Sequence, residues 1–133
     1  MIVLDTHAAL WLLAGSSSLG KRSRRIAESA AVAGQLAISA VSFWEIALLV
    51  AKRRLRWTDS ATEIRRQILA AGASELPLSG AIAILAGELE GLHNDPADRF
   101  IAASAIAHDA TLLTADERLL SWRNPVRRHN AEL

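Results

Sequence analysis

His93-Asn94-Asp95-Pro96-Ala97-Asp98-Arg99-Phe100-Ile101-Ala102-Ala103 is the stretch that organises the chain. It reads as a helix start. Asp95 suits the N-cap, Pro96 suits the first helical position, and Asp98 stands where a carboxylate favours the N-terminal turn. The body of the helix is small and apolar: Phe100, Ile101, Ala102, Ala103, Ala105, Ile106 and Ala107. Two carboxylates therefore stand at the mouth of a helix whose body belongs in a core.

Outward from this helix, short apolar runs alternate with helical patterns. Ile2-Val3-Leu4 reads as a buried strand ending at Asp5, and Thr6 to Ala14 as the helix after it, broken at Gly15-Ser16-Ser17-Ser18. A second helix is expected over Gly20 to Gly34, a strand over Leu36 to Ser39, a long helix over Val41 to Leu55, and another over Ser60 to Ala71. Glu75 to Leu78 reads as a weak strand, its Pro77 pointing to an edge or an end. Ala81 to Leu92 is amphipathic, with Ile82, Leu85, Ala86 and Leu89 in register, and the helix from Asp95 runs to about His108. Thr111 to Thr114 is the clearest late strand, with a short helix after it from Ala115-Asp116-Glu117 to Leu120. Pro125 to His129 is left open between a last strand and a tail. Strands apolar on both faces, alternating with helices, predict a three-layer α/β/α sandwich with a mainly parallel central sheet. Such sheets bind ligands at the carboxyl ends of their strands.

The 133 residues suit one domain, residues 1–133, and 51% hydrophobic content with a mean hydropathy of +0.20 argues against disorder. Fifteen basic against 14 acidic side chains give a net charge of +1, so any nucleic-acid contact rests on local patches. Without cysteine there is no disulfide framework, thiolate nucleophile or Cys-based zinc site. No basic leader precedes the first strand, and no apolar run approaches the ~20 residues of a membrane span. A soluble cytoplasmic protein without membrane contact is the expectation.

Four acids stand out. Two strands run into an Asp, Val3-Leu4-Asp5 and Leu113-Thr114-Ala115-Asp116, so both carboxylates leave a parallel sheet at the same edge. Glu45 lies early in the helix after the second strand and shares its face with Leu48 and Leu49. Asp98 lies in the first turn of its own helix. Each has a plainer reading: Asp5 and Asp116 suit helix caps, Ser42 to Glu45 fits a capping box if the helix starts that late, and Asp98 fits the third position after Asp95. Capping does not exclude a second role. Four acids at one edge would raise one another's proton affinity unless a cation neutralises them. An all-oxygen ligand set suits Mg²⁺ or Mn²⁺, which points to phosphodiester or phosphoryl chemistry.

The remaining polar residues are less specific. Thr6, Ser39 and Thr114 could orient water or phosphate, or simply serve the backbone at helix starts. Arg99 is either a phosphate contact or a surface ion-pair partner. His7 and His93 fit local hydrogen bonding, His108 a helix C-terminus, and no histidine has zinc spacing. Trp11, Trp44, Trp57 and Trp122 read as core or interface side chains. The basic runs at Lys21–Arg25 and Lys52–Arg56 would attract a phosphate backbone if they flanked the acids; Arg65-Arg66 reads as solvated surface. A phosphoaspartyl mechanism at Asp5 is disfavoured because His7 stands where that class has a second Asp. A receiver domain would want an Asp after Leu78 and a lysine near the last strand, and the chain has neither.

Taken together, Leu4-Asp5-Thr6-His7 with Leu10 to Leu13, Ile38 to Ser42 running into Trp44-Glu45-Ile46, His93 with Asp95-Pro96 and Asp98-Arg99, and Leu112 to Asp116 resemble the PIN-domain ribonucleases of VapC type, in the family's order and nearly end to end. Two departures are Ala97, where an aromatic is common, and a more basic C-terminal segment from Trp122 to Leu133. The resemblance implies a PIN-like fold and Mg²⁺- or Mn²⁺-dependent endoribonuclease activity on RNA. It also implies inhibition by a co-encoded VapB-type antitoxin, a homodimer, and an active-site role for Asp5, Glu45, Asp98 and Asp116. The alternative is a non-catalytic PIN-like module that only binds RNA or a protein, although degenerate modules usually lack one or more of the acids.

Overall fold

The computed structural model describes residues 1–55 and 59–133. Trp57 and the last member of the Lys52–Arg56 run lie outside the described residues. The elements are β1 (Ile2–Leu4), α1 (Thr6–Ala14), α2 (Lys21–Val32), β2 (Leu36–Ser39), α3 (Ala40–Ala51), α4 (Ala61–Ala70), β3 (Ser74–Leu76), α5 (Gly80–Glu88), α6 (Pro96–Ala107), β4 (Thr111–Thr114), α7 (Glu117–Leu120) and β5 (Arg128–Asn130).

The strands form one parallel sheet in the order β3-β2-β1-β4-β5, with Leu4 beside both Ile38 and Leu113. The side-chain period of two divides each strand between two cores. Leu4, Leu36, Ile38 and Leu113 pack with Ala8, Ala27, Ile64 and Ile68, on the side of α1, α2 and α4. Val3, Ala37 and Leu112 pack with Ala97, Ile101, Ala102 and Ala105 of α6 on the other side. This is the expected three-layer sandwich. The small residues of α6 let it lie close against the sheet, and the helix buries seven side chains, Asp98 among them.

Element starts obey the caps. Ser39, Ser60, Ser79 and Asp95 each accept a hydrogen bond from a backbone N–H in the first turn of the helix they precede. Several expected boundaries move, among them β3, which spans Ser74–Leu76 and ends two residues before Leu78. α3 starts at Ala40 under Ser39, so Ser42 and Glu45 are no capping box, and Glu45 sits in the second turn with its carboxylate uncommitted to the backbone. The same helix ends at Ala51, four residues early, with Arg53 in a left-handed turn at φ 53°. α5 ends at Glu88, because Leu89 turns extended. The C-terminal segment is a strand: β5 extends the sheet beside β4, with Leu113 opposite His129.

Chain order decides where a crevice opens. From central β1 the chain crosses to β2 on one side, while β4 lies on the other. The switch point therefore falls between the carboxyl ends of β1 and β4, where open parallel sheets bind ligands. Asp5 directly succeeds β1 and Asp116 lies two residues beyond β4.

Candidate active site

A cleft of about 360 Å³ opens at that switch point, lined by Asp5, Glu45, Asp95, Asp98, Asp116 and Glu132, with Arg118 as the one arginine or lysine along it among the described residues. The four acids singled out from the sequence thus share one cleft. Two further carboxylates join them, Asp95 from the cap of α6 and Glu132 from beyond β5.

Each acid is placed by local structure. Asp5 caps α1, its Oδ1 accepting from Ala8 N at 2.9 Å, while its Oδ2 accepts a hydrogen bond from the Thr114 hydroxyl. Thr114 Oγ1 in turn accepts from Asp116 N at 3.0 Å, so one buried hydroxyl ties the ends of β1 and β4 together. Asp116 caps α7 through Arg118 N at 2.8 Å. Asp98 lies at the third position of α6, and its Oδ2 meets His93 Nε2 at 2.7 Å. One ligand atom from each of His93, Asp98 and Asp116 falls within a group no wider than 4.8 Å. Asp5 and Glu45 line the same cleft outside that group.

Burial and charge pull these groups apart. Burial pushes the Asp5 carboxyl above the usual range, against the opposing hydrogen bonds from Thr114 and Ala8. Burial also pushes Asp98 up to about 6; the His93 contact opposes this, and the charges of Asp95 and Asp116 add to it. Burial pushes Asp116 up too, but hydrogen bonds from the Arg118 side chain and backbone outweigh it and hold Asp116 low. Six carboxylates beside one guanidinium leave the cleft strongly negative. The Arg118 guanidinium already shows where a cation settles: its Nη2 lies 3.1 Å from Asp116 Oδ2 and 3.4 Å from Asp98 Oδ2.

The other expected polar residues divide. Thr6 lines the cleft and donates to Ser42 Oγ at 2.9 Å, and Thr114 supplies the hydroxyl between Asp5 and Asp116. Ser39 is fully buried as the cap of α3 and does not line the cleft. Arg99 is a correction. It neither lines the cleft nor faces solvent for phosphate; its guanidinium donates to the carbonyls of Ala86, Gly87, Leu89, Leu92 and His93, closing the end of α5 and the loop before α6. One of those carbonyls belongs to His93, whose ring meets Asp98. The basic runs at Lys21–Arg25 and Lys52–Arg54 do not line the cleft, and Arg65-Arg66 pair with Glu75 and Glu63 at the surface.

His93, Arg118 and Glu132 are the functional candidates that sequence reasoning passed over or underweighted. Arg118 carried no distinctive signal: in the four-residue α7 it stands in the first and the last turn at once, so the helix dipole says nothing about it. Glu132 carried none, because only the pairing of β5 brings the C-terminus to the cleft.

The PIN domain family matches this chain over residues 2–123. Ribonuclease VapC22 of Mycobacterium tuberculosis is 33% identical over 125 residues, 93% of each chain. Two solved structures share the fold. The VapBC2 complex of Rickettsia felis, bound to a fragment of its promoter DNA, has a TM-score of 0.70 at 22% identity over 98% of both chains. FitAcB of Neisseria gonorrhoeae has a TM-score of 0.66 at 21% identity over 98% of both chains. The chain belongs to the PIN-domain family. Within that family it is similar to the VapC ribonucleases.

Proposed function

We propose that this protein is a VapC-type endoribonuclease toxin that hydrolyses RNA phosphodiester bonds with Mg²⁺ or Mn²⁺ and is neutralised by a VapB-type antitoxin. The observation that carries the reading is the meeting of Asp5, Glu45, Asp98 and Asp116, from four distant segments, in one negative cleft at the sheet's switch point. The donor set fits a hard divalent ion: carboxylate oxygens dominate, and two of them already share a cation, the Arg118 guanidinium. Asp98 and Asp116 would hold the ion, with Asp5 and Glu45 completing the set directly or through water, and His93 orienting Asp98. Such an ion supplies a water of lowered pKa and neutralises charge developing at phosphorus.

The chain's own groups do the rest. Thr114 fixes the Asp5 carboxylate and the backbone of Asp116 in one arrangement, so the ligand oxygens are preorganised. Asp5 and Asp98, both pushed up by burial, are costly to keep ionised, and that cost favours taking up a cation. Water attacks phosphorus in line with the departing 3′-oxygen, leaving a 5′-phosphate and a 3′-hydroxyl. No side-chain nucleophile is needed.

The relatives named as VapBC and FitAcB support an antitoxin partner. An apolar partner helix would suit Trp44 and Leu48, one turn apart on α3 and 51% and 37% exposed. No helix among the described residues is long and apolar enough to cross a membrane. The test is cleavage of a labelled structured RNA by the purified protein. Cleavage should need Mg²⁺ or Mn²⁺, stop with EDTA, and be lost in folded Asp98→Asn. Binding without cleavage under all these conditions would refute the enzyme reading in favour of a binding module. Co-purification with the product of the adjacent small gene tests the antitoxin, and light scattering tests the homodimer.

A further inference from the structure

Beyond Arg118 lies a second depression, of about 390 Å³, walled by Gly91, His93, Arg118, Ser121 and Arg123 against the buried Trp122. Arg118 is the residue that lines both spaces. The two differ sharply in charge. The first holds six carboxylates; the second holds none, and presents two guanidiniums and an imidazole. Its wall is built rather than accidental. Trp122 Nε1 donates to Glu90 O at 2.8 Å, and Arg99 holds the carbonyls of Leu89, Leu92 and His93, so the loop along the groove is tied at both ends. Gly91, at φ +74°, is in a conformation that disfavours any side chain and leaves that wall as bare backbone.

We propose that this groove is an RNA phosphate subsite, in which Arg118 and Arg123 hold a phosphate flanking the scissile one, and that Arg118 turns to it when a divalent ion takes its place between Asp98 and Asp116. The inference rests on the ribonuclease reading of the adjoining cleft. A strand crossing the boundary would lay one phosphate against the acids, where an ion is needed, and the next against arginines, where none is. Arg118 is suited to the exchange. Its side chain is 57% exposed, so turning costs little packing, and the guanidinium binds carboxylate and phosphate oxygens by the same donor geometry.

The test is fluorescence anisotropy of a short labelled single-stranded RNA in Ca²⁺, with the RNA checked for integrity, over a range of salt. Mn²⁺ affinity is read separately by electron paramagnetic resonance. Arg123→Gln should weaken RNA binding about three- to tenfold at low salt, lower the salt slope by about 0.7, and leave Mn²⁺ affinity unchanged. Arg118→Gln should weaken RNA binding similarly but tighten Mn²⁺ binding, because a competing cation has left the carboxylates. Arg25→Gln, on the exposed surface of α2, should change neither. Wild-type RNA affinity and slope in both groove variants would overturn the subsite, as would an equal loss in Arg25→Gln. Unchanged or weaker Mn²⁺ binding in Arg118→Gln would overturn the exchange. A wild-type protein that cleaves RNA while the variants bind normally removes the subsite alone; one that neither binds nor cleaves RNA removes the ribonuclease reading with it.

Discussion

Asp98→Asn should make the metal-free protein more stable at neutral pH while abolishing its affinity for Mn²⁺. Burial moves the Asp98 carboxyl from 3.8 to about 6 in the folded chain. The side chain is only 12% exposed but lines an open cleft and shares it with the charges of His93, Asp95 and Asp116, so the shift sets an upper bound on the folding term. A difference of about two pH units corresponds to ~3 kcal/mol. Proton counting sets the sign. Below pH 3.8 the group is neutral in folded and unfolded chains and costs nothing. As pH rises through about 6 the folded chain must ionise a buried carboxyl, and that stability is lost. Asparagine cannot ionise. The variant should therefore exceed the wild type by up to ~3 kcal/mol at pH 7.5, and the gap should close to near zero by about pH 4. Urea denaturation in EDTA at a series of pH values reads the gap; titrating groups away from the cleft cancel between the two proteins, whereas His93, Asp95 and Asp116, whose charges act on Asp98, contribute to it. Adding Mn²⁺ should then raise the wild-type midpoint and leave the variant's unmoved. A variant no more stable than the wild type at pH 7.5 in EDTA, or a gap independent of pH, would refute the reasoning.

Other perturbations probe the supports of the cleft. Arg99→Ala leaves five carbonyls without their donor and should cost about 3 kcal/mol by denaturation, and Arg99→Lys should recover little, because a point ammonium cannot span the same set. Gly20→Ala drives a Cβ into the backbone of Glu132 and Leu133, so it should cost ~1–3 kcal/mol and lower the thermal midpoint. Thr114→Val removes the hydroxyl that joins Asp5 to Asp116; Mn²⁺ affinity, measured calorimetrically, should fall about 10- to 100-fold in a protein that still folds.

The local signals in this chain were strong where backbone chemistry is local. Asp95-Pro96 marks the start of α6, Asp5 and Asp116 each follow a strand and cap the next helix, and the alternation of short apolar runs with helical patterns requires covered parallel strands. Boundaries set by competition between neighbouring groups were harder to read. Ser39 outcompeted Ser42 as the cap of α3, and α5 stopped at Glu88 because Leu89 turns extended where Arg99 binds its carbonyl and those of Ala86 and Gly87.

Residue order alone thus determined the parallel sandwich, the sheet edge at which acids would emerge, and the identity of four of them. Tertiary structure decided which cation-bearing side chain meets those acids, turning Arg118 toward the cleft and Arg99 into a clamp on five carbonyls. It also brought Glu132 from the far end of the chain to the same cleft, through the pairing of β5 with β4. The physical reason is range. Caps and periodicity act over a few residues and leave their mark in sequence, whereas a long flexible side chain goes to whichever acceptors the folded chain leaves unpaired, and those exist only once the sheet is assembled.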